Sequence, residues 1–177
     1  PVKSAATGTT ALYVKQDSTG LAADFTGTGG IRSAGGILFG SDTAAANTLD
    51  DYEEGTFTAT LTSSTPPSTP PTGSGYYRKI GTLVYFNIRR FNSVDTSGGS
   101  GAMKITGLPF TVNISAITTD IATHQFAISG DIVWGEMEDN TTNIMFLESH
   151  NNGGWSDMNI TAGTGKFMSI SGTYVTD

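Results

Sequence analysis

Apolar and polar residues alternate with a period of two in several short runs, and a period of two marks a strand with one buried face. Over residues 83–90, Val84, Phe86 and Ile88 fall on one face while Tyr85, Asn87 and Arg89 fall on the other. The same spacing links Met103 with Ile105, Phe126 with Ile128, Ile144 with Phe146, Met158 with Ile160, and Met168 with Ile170. Residues 56–61 alternate Thr with Phe57, Ala59 and Leu61. Clusters of Gly, Ser, Thr, Asn and Asp at 93–101, 138–143, 149–154 and 161–165 separate the runs, as turns separate the strands of a sandwich or barrel. The pattern predicts an all-β, jelly-roll-like antiparallel β-sandwich over residues 49–177. The proline-rich stretch 63–75 is expected to be an exposed loop, because proline cannot donate to a β-ladder.

Upstream the pattern changes. Residues 1–48 hold short apolar pieces at 11–14, 21–25 and 35–40, divided by Gly, Ser and Thr. A lone short strand is marginal in water, so these pieces predict an intertwined, β-rich shaft or neck built by association of identical copies. A low-complexity linker is the other reading. Between the two regions lies an acidic knot of Asp50, Asp51, Glu53 and Glu54 around Tyr52. Asn47 or Thr48 could cap a short helical turn there, with Asp50 and Asp51 in its first turn. The carboxylates are hard oxygen ligands suited to calcium, but their spacing is not that of a calcium loop. A structural collar between shaft and head is the expectation, with no metal and no cofactor assigned.

Composition strengthens the strand reading and narrows the chemistry. Of 177 residues, 23 are Gly and only 14% are charged, a poor mixture for helices. The formal net charge of -7 disfavours nucleic acid as a partner. There is no Cys, so disulfides and thiolate metal sites are excluded. No apolar run approaches the roughly 20 residues of a membrane helix, so no membrane insertion is expected. A chain that starts at Pro1 without Met reads as a fragment or a processed product.

Candidate chemistry is sparse. His124 and His150 lie in no metal spacing and beside no nucleophile motif, and His124 is expected to be buried with Phe126 and Ile128 or set in an interface. Glu136, Glu138, Asp139, Glu148 and Asp157 could supply a glycosidase pair, but sequence carries no distance between them. Trp134 and Trp155 place flat aromatic faces near polar loops, a pairing that suits sugars. Glu148, His150, Asn151, Asn152, Trp155 and Asp157, with Trp134, are therefore the candidate receptor or glycan contacts. The plainer alternative has Trp155 plugging a sandwich edge or subunit interface, with the asparagines making turns.

Three segments together resemble the C-terminal region of fibre or spike proteins of tailed bacteriophages. They are GILFGSDTAAANTLDDYEEGTFTATL (36–61), GYYRKIGTLVYFNIR (75–89) and MKITGLPFTV (103–112), and the match covers about the middle third of the chain. The chain departs from that pattern at Phe57 and Ala59, where Trp and Pro are expected. The resemblance implies a non-enzymatic, homotrimeric virion fibre head that is assembled in the bacterial host cytoplasm. Such a head joins other virion proteins through its upstream chain and attaches to a host cell-surface glycan or protein. A capsid-decorating fibre without a receptor, a polysaccharide depolymerase spike, and a monomeric bacterial adhesin or carbohydrate-binding module are the alternatives. Asn113, Asn140 and Asn159 fit the N-x-S/T glycosylation pattern, which a protein made in bacteria leaves unmodified.

Overall fold

Most of the alternating runs become strands whose apolar face is buried. The computed structural model describes Ile37, Leu49 and residues 51–114, 116–117, 119–127, 130 and 132–177. All of these lie within one unit, Gly36–Asp177. Apart from Ile37, the expected shaft lies outside the described residues, as do Asn47, Thr48, Asp50 and Ile128. The described residues form ten strands and no helix. These are β1 (Tyr52–Thr65), β2 (Thr72–Ile80), β3 (Leu83–Val94), β4 (Ser100–Thr106), β5 (Ala116–Ile117), β6 (Thr119–His124), β7 (Ile132–Met137), β8 (Asn143–Ser149), β9 (Trp155–Asp157) and β10 (Lys166–Val175).

All ten belong to one antiparallel sheet, ordered β5-β7-β8-β4-β1-β2-β3-β10-β6, with β9 paired to β8. β6 also lies against β7, so the sheet curls back on itself and nearly closes into a barrel-like sandwich. Closure hides sheet edges that would otherwise offer unpaired backbone groups. The inner face carries Leu61, Val84, Phe86, Ile88, Ile105, Ile144, Phe146 and Ile170, all buried. Each such side chain contributes about 1.5–3 kcal/mol by leaving water. The predicted pairs Met103/Ile105, Ile144/Phe146 and Met168/Ile170 point inward. Met158 and Ile160 are buried too, outside the strands but bonded to them through Met103 N–H to Met158 O at 2.9 Å and Ile160 N–H to Gly101 O at 2.9 Å.

Several local expectations are corrected. Only residues 66–71 of the proline-rich stretch form a loop, and Pro67 within it is buried. Thr72–Ile80 is already strand β2. Gly75 lets β2 pass under an aromatic ring, since a Cβ there would sit 2.3 Å from the ring of Phe57. Glu53 and Glu54 are extended, in β1, rather than helical. His124 is exposed, because β6 ends there and Gln125, at φ 63, breaks the alternation that would have carried it inward with buried Phe126.

The acidic knot is tied down by neighbouring β2. Register sets Glu53 opposite Lys79 and Glu54 opposite Arg78. Lys79, only 6% exposed, pairs with Asp51 and lies 3.8 Å from Glu53. Its ammonium also sits 5.6 Å from the centroid of the Phe110 ring. Glu54 lies 3.6 Å from Arg78 and accepts a hydrogen bond from the Tyr52 hydroxyl at 2.8 Å, a bond that holds the Tyr52 pKa above its ordinary value. Outside the strands, Ile37 and Leu49 exchange both backbone hydrogen bonds, at 3.0 and 2.9 Å.

Phe110 is held from three sides. Tyr77 meets its ring edge-on at 5.2 Å, and the buried Tyr174 hydroxyl bonds its backbone twice. That hydroxyl donates to Phe110 O at 3.1 Å and accepts from Phe110 N–H at 3.2 Å. Burial pushes the Tyr174 pKa up to about 12 from an ordinary 10.0, while the bond to Phe110 pulls it partly back. The fold thus favours the protonated phenol. Its stabilisation is complete below pH 10.0 and is lost as pH rises towards 12.

Two expectations follow from these buried polar groups. Asp51→Asn with Glu53→Gln leaves the Lys79 ammonium buried without an acid and should destabilise the domain by about 3 kcal/mol in urea unfolding. Adding Lys79→Met should recover most of that loss, and no recovery would mean the ion pair is not the cause. Tyr174→Phe should cost about 1–2 kcal/mol at neutral pH. It should also flatten the alkaline loss of stability, and equal alkaline slopes in the two proteins would refute the assignment.

Candidate functional site

The sequence candidates gather on the β8–β9 hairpin and on adjacent β7. Ser149 pairs with Trp155, and residues 150–154 turn the chain between them. The turn is closed by Gly153 N–H donating to His150 O at 3.0 Å, and Asn152 adopts φ 57, a left-handed conformation that asparagine tolerates. Asn151 and Asn152 are exposed. One part of the plainer reading thus holds for Asn152, which makes the turn.

Register decides which side chains share a face. Trp134 opposes Leu147, which opposes Asp157, and Ser149 opposes Trp155. With a period of two, Trp134, Asp157 and Trp155 therefore stand on one face. The two indoles meet edge-on, with centroids 5.6 Å apart at 74°. Trp155 is 64% exposed, so it plugs no edge within this unit. It borders a shallow groove shared with Glu136, Leu147, Ser156 and Asp157.

Glu148 stands apart from this group. Its partners are Val133 and Ser156, which places it on the opposite face, 4% exposed. There its carboxylate accepts a hydrogen bond from Gly130 N–H at 3.0 Å. His150 is half-buried, and its Nε2 lies 2.9 Å from the Ser156 hydroxyl. Ser156 was not singled out by sequence; its position one residue from Trp155 was the available signal. Among the other carboxylates, Glu138 accepts from the Asn143 amide at 2.8 Å, and Asp139 is exposed in a turn.

Chemically, the face offers one large exposed ring fixed by a second, with a carboxylate, hydroxyls and turn amides around it. That arrangement can stack on a flat apolar surface and exchange hydrogen bonds at its rim. The Trp134 Nε1–H is buried with no acceptor among the described residues. Leaving a donor unmatched costs about 1–3 kcal/mol. No family model matches the chain, nor does any curated protein or solved structure.

Trp134→Phe keeps an aromatic ring beneath Trp155 and deletes the unmatched donor. Thermal unfolding should find the variant as stable as the parent or more so. A loss above about 1 kcal/mol would show that lost ring packing, or an acceptor for that indole, outweighs the deleted donor.

Proposed function

We propose that this chain is the non-catalytic head of a homotrimeric virion fibre, which attaches to a host cell-surface receptor, most simply a glycan. The observation that carries the reading is Trp155, 64% exposed and braced edge-on by Trp134 beside Asp157 and the 150–154 turn. An exposed, braced indole offers a flat apolar face on which sugar rings stack while their hydroxyls meet the polar rim.

Two further features support it. The three segments that resemble phage fibre and spike proteins meet at one point, where Asp51 and Glu53 of the first hold Lys79 of the second against Phe110 of the third. Self-association is favoured by a row of exposed apolar residues, Tyr52, Ile80, Leu83 and Val175, paired in register across β1, β2, β3 and β10. A contiguous exposed apolar row marks an interaction surface. Identical copies meeting around an axis would cover it.

A glycan array probed with the whole chain, followed by mass spectrometry of the bound sugars, tests the receptor role. Intact glycans should be captured, and Trp155→Ala should weaken capture at least about tenfold. Shortened products would replace this reading with a depolymerase. Absence of binding to glycans and to host cells would replace it with capsid decoration. Light scattering should give three copies, and a monomer would overturn the self-association.

A further inference from the structure

On the outer face of the sheet, away from the β8–β9 hairpin, β3 carries two bulges in succession. Between the pairs Ile170↔Ile88 and Met168↔Phe91, β10 advances two residues and β3 advances three. The same happens again between Met168↔Phe91 and Lys166↔Val94. Each extra residue suspends the alternation. Arg89 and Arg90 both face solvent between buried Ile88 and Phe91, and Asn92 and Ser93 both face solvent between Phe91 and Val94. Ser93 takes φ 51, so the second bulge is made at a conformational cost. Bulges re-aim side chains, and these bring a second arginine to the outer face where an unbroken strand would have turned it into the core.

Arg90 is then held in place. Its guanidinium lies 4.8 Å from the centroid of the Phe167 ring on β10, and His124 of β6 meets the same ring edge-on at 5.5 Å. The Ser169 hydroxyl donates to Arg89 O at 3.0 Å, fixing the backbone of the first bulge. These residues line a broad open groove of about 1000 Å³, at the top of the range of small-molecule clefts and roomy enough for several linked rings. Tyr76 and Ser74 of β2 form its far wall, and Asn92 adds an amide. The chain has 16 acidic residues against 9 Lys and Arg, yet among the described residues no Asp or Glu lines this groove.

We infer that the groove is a second binding site, for an acidic glycan whose sugar rings bear carboxylates. Guanidinium groups match carboxylates in a two-pronged hydrogen-bonding geometry. The exposed Tyr76 ring offers an apolar surface to a sugar face, with Ser74 and Asn92 placed for its hydroxyls. Nucleic acid is disfavoured, because two arginines neutralise few phosphates and the whole chain carries a charge of -7. The site uses none of the residues around Trp155, so it stands or falls apart from that surface.

Calorimetric titration of the whole chain with oligogalacturonate tests the inference. Neutral dextran oligomers of equal length and inorganic polyphosphate serve as comparison ligands. Oligogalacturonate should bind, the neutral oligomer should not, and raising the salt concentration should weaken binding. Arg89→Ser with Arg90→Ser should weaken binding roughly ten- to hundredfold, the range expected for lost charged hydrogen bonds. Tyr76→Ala, on another strand, should weaken it about tenfold and serves if the double variant misfolds. Trp155→Ala should leave it unchanged. Absence of oligogalacturonate binding, equal binding of dextran, tighter binding of polyphosphate, or full retention in the arginine and tyrosine variants would each overturn the inference.

Discussion

The buried ammonium of Lys79 is the constraint around which the start of this domain is organised. A cation taken out of water needs acids and polarisable neighbours within a few ångströms, and no single segment of the chain supplies them. Asp51 and Glu53 come from the first strand and its approach, and Phe110 from the loop after β4. Phe110 is itself fixed by the Tyr174 hydroxyl from the last strand. One charge thus obliges elements separated by more than a hundred residues to meet, and it anchors the point where β1 begins.

From that point the sheet can be followed as a wrapped surface with two different faces. Inside, the period-two alternation delivers an apolar lining with few polar intruders. Outside, paired rows grade from apolar at Tyr52, Ile80, Leu83 and Val175 to basic and aromatic at Arg89, Arg90 and Phe167. Packing fixes only the inner set, so the outer rows are free to specialise. Surfaces of different chemistry can then share one scaffold without competing for the core.

Much of this was legible in the sequence because a half-buried strand writes its faces in alternation. Val84, Phe86 and Ile88, Ile144 with Phe146, and Met168 with Ile170 are buried as their spacing says. Residue type marks Trp134 and Trp155 separately as candidate contacts, but only cross-strand register brings the two rings together, and register is not written locally. The same gap explains Glu148, assigned to the contact loop by proximity in sequence yet turned to the other face by its pairing with Ser156. His124 is exposed rather than buried within this unit because one left-handed residue, Gln125, interrupts the period. The groove around Arg90 was missed altogether. Its signal was present, since Ile88, Phe91 and Val94 recur every third residue where a regular strand would repeat every second.

That three-residue recurrence separates the outer surface from the core. Deleting one residue from each bulge would return β3 to plain alternation, with Ile88, Phe91 and Val94 still facing inward and their neighbours outward. The second outward-facing arginine thus rests on one extra residue laid over an unaltered inward set. A one-residue insertion or deletion at either bulge therefore changes what the outer surface presents while leaving the packed face as it is.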